Sequence, residues 1–533
     1  MGAPLPSRVH SFHRVDLARF AGRLGLALAA AFSSARADVT LAPLFADHAV
    51  LQSGKTVPVW GRADPGEKVT VKYREYAAAG LADLDGRWVA LLPPMPAQAS
   101  GADLIATGKN SISVHDVVVG DVWLCSGQSN MEFPVYDPNS QIFHLKNGEK
   151  EAAAANFPPI RQFAVSRQVA DKPAETVKGA WAVCSPETAG RFTAVGYFFA
   201  RDIFRRFGVP VGIIDSTWGG TPVESWMSPA ALASDPAFAV IGERWKQALA
   251  EYPAKKTAFD PAIAEWAREE AVEAAAGKAR HAAFLKTHPK PREPVGPGSS
   301  WMPAGLFNGM INPLLPFGIR GILWYQGESN AGRASEYHNL FSAMVTEWRS
   351  NFGQGDLPFY WVQLASYKVP DDPTGATWAW LREAQTQTLS LPATGQASAI
   401  DIGDPDNIHP ADKQEVGRRL ALIAKARVYG ISVDYSGPVF SSATVEGNSI
   451  RVRFEYADNG LTAAGKPLQS FELAGADRKF HPASASISGS TVVVRSAEVP
   501  APVAVRYAWQ NAPEANLFNG AGLPATPFRS DDW

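Results

Sequence analysis

Ser129 stands in Gly127-Gln128-Ser129-Asn130-Met131, directly after the mostly apolar run Val117 to Leu124. Such a run reads as a buried strand of a parallel sheet. The turn after it presents the hydroxyl at the strand's carboxyl edge, where open α/β sheets hold ligands and nucleophiles. Far along the chain, Asp404-Pro-Asp406-Asn-Ile-His409 supplies an imidazole with an acid three residues before it. A hydroxyl, a base that takes its proton and a carboxylate that orients the base are what acyl transfer through a covalent intermediate requires. One local turn can bring the Asp406 carboxylate to one ring nitrogen of His409 and leave the other for Ser129. The developing oxyanion also needs donors. The expected set is the amides of Ser129 and Gly220 with the side-chain amide of Gln326.

These residues converge only if parallel strands carry them to one edge. Val209–Asp215 reads as a second strand, running into Ser216-Thr-Trp-Gly219-Gly220, whose paired glycines let backbone amides point at a ligand. Ile319–Gln326 is a third strand, followed by Gly327-Glu328-Ser-Asn330; residues 358–364 and 397–404 are a fourth and a fifth. Helical spacing falls between them, at Val195, Phe198, Phe199 and Ile203, and later at Val416, Leu420 and Ile423. Five parallel strands with intervening helices predict a three-layer α/β/α, flavodoxin-like domain over residues 116–435. Residues 38–115 and 436–533 alternate at strand period around turns and predict a β-sandwich at each end. Residues 228–300, rich in Ala, Glu and Lys, read as a helical insertion in the α/β domain.

The chain has 533 residues, 46% hydrophobic and 19% charged, with 45 glycines and 41 prolines, which suits a loop-rich globular protein of several domains. Four arginines, an apolar run from Leu24 to Phe32 and Ala35-Arg-Ala37 predict a secretory signal cleaved before Asp38, so a periplasmic or secreted protein. Cleavage leaves 45 basic and 51 acidic residues, a net charge of −6, which offers no footprint for nucleic acid. No apolar stretch reaches a membrane-spanning length. The two cysteines, Cys125 and Cys184, are equally consistent with a disulfide and with two buried thiols. His and Cys show no metal-ligand spacing, and the chemistry calls for no cofactor. His48, His115 and His338 lie in other contexts and read as structural. Glu328 reads as an orienter of its loop; paired with Asp404 it would suit a glycosidase, a much weaker reading. Gly127-Gln-Ser129 lacks the second glycine of the nucleophile elbow, so an ordinary α/β-hydrolase is not indicated.

Four stretches occur in order: Gly120-Asp-Val-Trp-Leu-Cys-Ser-Gly-Gln-Ser-Asn-Met131, Ser216-Thr-Trp-Gly-Gly-Thr-Pro-Val-Glu-Ser-Trp226, Trp324-Tyr-Gln-Gly-Glu-Ser-Asn330 and Ile408-His-Pro-Ala-Asp-Lys413. Together with Asn308-Gly-Met-Ile-Asn-Pro and the closing Phe518-Asn-Gly-Ala-Gly-Leu-Pro, they resemble the sialate O-acetylesterases among the SGNH (GDSL-like) hydrolases. The resemblance implies a serine esterase that removes O-acetyl groups from sugars. It departs from many SGNH enzymes at Gln326, where they carry Asn, and it makes Asp404 a competing acid for the triad. Acetylated sialic acid and acetylated plant polysaccharide such as xyloglucan or xylan both stand as substrates. A catalytically inactive carbohydrate-binding scaffold is the rival from another class. Oligomeric state is left open.

Overall fold

The computed structural model describes residues 38–533; the signal segment expected over residues 1–37 lies outside the described residues. Its central strand, β1 (Ser111–Gly127), is 17 residues long and changes character midway. The first six positions alternate between exposed and covered, and every position from Val117 onward is buried. Its neighbours account for the change. Residues 111–119 pair antiparallel with Gln98–Thr107, leaving one face in solvent, whereas Asp121–Gly127 sits between two parallel strands.

Those neighbours belong to a sheet made with β2 (Phe157–Val165), β3 (Gly179–Cys184), β4 (Val211–Thr217), β5 (Gly321–Tyr325), β6 (Phe359–Gln363) and β7 (Thr394–Ser398). The spatial order is β3-β2-β4-β1-β5-β6-β7, all parallel except β3 against β2. The α/β part thus has six parallel strands where the sequence pattern indicated five. β2 escaped notice because its apolar signal is broken by Pro158, Pro159 and two polar residues that are nonetheless buried. Arg161 pairs with Asp116, and Gln162 accepts from the Thr193 amide while bonding Asp215. β7 ends at Ser398, so the last residues of the fifth expected strand, through Asp404, are loop.

Helices α1 (Ser129–Glu132), α2 (Ala194–Phe207), α3 (Ala334–Phe352), α4 (Thr377–Gln387) and α5 (Lys413–Arg427) complete this part. Trp123 of β1 meets both Phe199 of α2 at 4.8 Å and Tyr360 of β6 at 6.0 Å. Phe359 and Trp361, either side of Tyr360, meet Phe341 of α3 at 5.9 and 5.2 Å. Neighbouring strand residues point to opposite faces, so α2 and α3 cover opposite faces of the sheet. α5 lies on α2 so closely that a Cβ at Gly417 would come within 2.7 Å of Phe198.

One hydrophobic core runs from Val39 to Ala424, so the N-terminal strands and the α/β part share it. The boundary drawn at residue 115 falls inside β1, which is the shared strand. The C-terminal seven-stranded antiparallel sheet has its own core around Val452, Leu473, Val494 and Tyr507. Arg382 of α4 ties the two together: fully buried, it donates to the carbonyls of Leu364, Ala365, Gln510 and Asn511. Replacing it strands four buried acceptors, each costing about 1–3 kcal/mol when left unmade. Arg382→Met is therefore expected to lower unfolding stability by roughly 3 kcal/mol or more, read as the denaturation midpoint.

Residues 228–300 are helical as expected, with the long helix Ala239–Ala275 followed by Lys278–Thr287. Ala231, Phe238 and Ile241 seat in the main core, but the later apolar positions do not: Leu249 and Val272 are 37% and 63% exposed, and Trp266 packs on Phe284 within the hairpin. The Arg244–Glu336 ion pair, at 2.7 Å, joins the hairpin to α3.

Candidate active site

The site begins with a glycine. Gly127 closes β1 with φ +130°, and a Cβ there would lie 2.2 Å from the Tyr325 carbonyl oxygen of β5. Only glycine tolerates both the dihedral and the approach. The chain can then turn sharply, and Ser129 becomes the first residue of α1. Gly127→Ala should cost about 3 kcal/mol or more through backbone strain and overpacking. Thermal denaturation of the purified variant measures it.

His409 arrives from the loop after β7, and its Nε2 lies 2.9 Å from Ser129 Oγ. Its backbone amide donates to Asn407 Oδ1 at 2.9 Å, and the ring stands edge-on to Phe143 at 5.1 Å. Burial, reinforced by the nearby Lys413 ammonium, lowers the imidazole pKa to about 4. His409 is therefore neutral at pH 7, the state of a general base.

The loop after β4 lies against the serine. A Cβ on Gly219 would come within 3.2 Å of Ser129 Cβ, and the Gly219 amide donates to Glu132 Oε2 at 2.8 Å. The other Glu132 oxygen holds Arg167, which sits over the Trp218 ring. Gly220 has φ +74°, its carbonyl accepts from Trp301 Nε1 at 2.8 Å, and its amide has no partner among the described residues. The Ser129 amide, at the start of α1, is likewise unpaired. Among the described residues, the amides of Ser129 and Gly220, the latter next to Gly219 against Ser129, are therefore both without a partner. Trp301 directly follows the helical insertion, so the insertion ends on this loop.

Two expected members are placed elsewhere. Gln326 is fully buried, and its Nε2 donates to Thr221 O at 3.1 Å and Asn330 Oδ1 at 2.7 Å, which leaves no proton for an oxyanion. Asp406 points outward: its side chain is 82% exposed and pairs with Lys368 Nζ at 3.1 Å. The reason is local. Asp404 Oδ1 accepts from the Asp406 amide, and Asp404 bridges Asn407, so this stretch folds on itself instead of turning toward the imidazole. Among the described residues, no carboxylate is hydrogen-bonded to His409. Glu328 and Asp404 are each bound within their own surroundings, Glu328 on Asn130 and Asp404 in its turn.

Other residues emerge only from the structure. Asn130 donates to Glu328 Oε1 at 2.6 Å and to Ile408 O at 3.0 Å, and it accepts from Lys413 Nζ at 2.5 Å. Adjacency to Ser129 and the four-residue spacing from His409 to Lys413 were the only signals in the sequence. Glu132, Arg167 and Trp301 gave none. Cys125 and Cys184 are both buried free thiols, so the reading without a disulfide holds. Burial pushes the Cys184 thiol up to about 11.

A hydroxyl bonded to a neutral imidazole, beside unpaired amides at the carboxyl edge of a parallel sheet, suits hydrolysis of an ester. A family profile described as "Carbohydrate esterase, sialic acid-specific acetylesterase" matches residues 299–425. Sialate O-acetylesterase of Rattus norvegicus is 30% identical over 517 residues, covering 88% of this chain and 90% of its own. That of Homo sapiens is 28% identical, with 88% of each covered. The crystal structure of a carbohydrate acetylesterase from Xanthomonas citri superposes with a TM-score of 0.77 at 39% identity, covering 93% of this chain and 100% of that one. The protein is an ester hydrolase. It belongs to the sialate O-acetylesterase family.

Proposed function

We propose that this chain is a carbohydrate O-acetylesterase that works through an acetyl-enzyme on Ser129. The observation that carries the reading is the 2.9 Å Ser129–His409 contact beside the unpaired Ser129 and Gly220 amides. Ser129 Oγ attacks the acetyl carbonyl carbon while His409 takes its proton, and the oxygen gathers charge against the two amides. His409 then protonates the departing sugar oxygen. Water, deprotonated by the same imidazole, releases acetate and restores the serine. Asp406 is the third member, swinging from its exposed Lys368 pair to the free nitrogen of His409; exposed pairs of that kind hold by only about 0–1 kcal/mol. Asp404 is the competing acid.

The SGNH α/β/α arrangement, sharing β1 and its core with the N-terminal strands, is part of the same reading. The strand order and the helices on both sheet faces support it. Residues 1–37 act in it as a secretory leader, which places the enzyme in the periplasm or outside the cell.

O-acetylated sialic acid is the substrate that the rat and human relatives' names carry. Acetylated plant polysaccharide is the second reading, favoured by the half-buried Trp218 and Trp301 flanking Gly220, which suit stacking on sugar rings along a chain. Acetate release from an acetylated sialoglycoprotein and an acetylated xyloglucan, measured side by side, tests both. Preferential release from one identifies the substrate class. No release from either polymer or from an aryl acetate, with sugar binding retained, would replace the enzyme by a binding protein.

A further inference from the structure

Behind the Ser129–His409 contact lies a buried ionisable cluster that the hydrolytic steps do not use. Lys413 is fully buried in the first turn of α5. A cation there opposes the helix dipole, and burial, partly offset by Glu328, lowers its pKa to about 7. Its ammonium meets no carboxylate directly among the described residues. It donates to Asn130 Oδ1 and lies 4.8 Å from the Phe133 ring centroid and 5.2 Å from that of Tyr325. Glu328 is reached only through Asn130, whose two amide hydrogens go to Glu328 Oε1 and to the carbonyl just before His409. The second Glu328 oxygen is buried without a partner among the described residues. Asn130 thus joins the turn carrying Ser129, the loop carrying His409 and the loop after β5. Lys413 and Glu328 hold it from either side.

We propose that Lys413, acting through Asn130 against Glu328, is a positioning residue that fixes Ser129 on His409. The inference rests on the serine-esterase reading above. Charged and titratable groups on the elements around His409 also include Glu132 on α1, His144 and Lys146 in the segment of Phe143, Tyr325 and Glu328 from β5 and its loop, and Asp404, Asp406 (paired with Lys368) and Asp412 from its own loop. Protonated Lys413 opposes a second positive charge on the ring, so the ring stays neutral into acid. Removing that charge must move the acid limb of activity upward.

The test compares wild type with Lys413→Met, using a small aryl acetate across pH. The acid limb of kcat/KM is expected to rise by about 0.5–1 pH unit. In the same variant kcat should fall about 10–100-fold with KM within about threefold, because Asn130 loses its hold on both loops. If Lys413→Met does not fold, the double variant Lys413→Met/Glu328→Gln, which leaves no buried carboxylate without its cation, must show the same limb shift and kcat loss. An unmoved limb overturns the proposal even when kcat falls, since a purely structural role predicts that result. An unchanged kcat, or failure of both variants to fold, also overturns it. Activity that survives Ser129→Ala would instead remove the serine-esterase reading itself, so the two failures are distinguishable.

Discussion

Ser129→Ala should fold with an unchanged melting temperature and release acetate at least about 10⁴-fold more slowly than wild type, with bound sugar affinity retained. The site explains both halves of that expectation. Ser129 is only partly buried, and its Oγ bonds His409 and nothing else among the described residues, so the fold does not depend on the hydroxyl. In the proposed mechanism acyl transfer depends on it, because no other hydroxyl or thiol among the described residues is bonded to His409. The two cysteines are buried and their thiols are held above the ordinary range, which removes them as substitute nucleophiles. What survives in the variant is the contribution of the free amides and of binding. Acetate release assayed alongside circular dichroism separates the two effects.

The second large effect concerns the acid. His409 must be neutral to take a proton, so kcat/KM rises with pH through the pKa of the free enzyme. Burial and Lys413 set that value to about 4. The acid limb of kcat/KM is therefore expected near pH 4, well below the ordinary histidine range. The limb of kcat reports the substrate complex, in which the proposed mechanism turns Asp406 to His409 and so favours the imidazolium. That limb should lie about 1–3 units higher. Asp406→Asn is expected to erase the difference and to lower kcat about 10²–10⁴-fold, since the ring loses its orienter and the counter-charge to its proton. Asp404→Asn should stay within about threefold, as its carboxylate only caps the Asp406 amide. Coincident limbs in wild type, or a greater loss from Asp404→Asn, would assign the acid differently.

The sequence disclosed what depends on short-range pattern. Ser129, Gly220 and His409 each follow a strand read from its apolar run, and the parallel sheet brings them together as that pattern implies. β2 was hidden because buried Arg161 and Gln162 satisfy their polarity through partners distant in sequence, Asp116, Thr193 and Asp215. Asp406 was assigned by spacing alone. Spacing fixes the reach of a side chain but not the competing bonds, here the Asp404 cap and the Lys368 pair, that decide where it points. Gln326 was misplaced for the same reason: its neighbours Thr221 and Asn330 take both amide hydrogens. The domain boundary at residue 115 followed a change in periodicity that proves to be the two halves of one strand. The Lys413–Asn130–Glu328 cluster is carried by three separate segments, so no local pattern announces it.

The most direct measurement is the site of acetylation during turnover. Wild-type protein, mixed rapidly with an activated aryl acetate and quenched in acid, should carry one added acetyl group, and peptide mapping should place it on Ser129. A burst of aryl alcohol equal to the enzyme concentration should accompany it. Acetate release with no acetyl group on the protein, or with the group on another residue, would contradict the account.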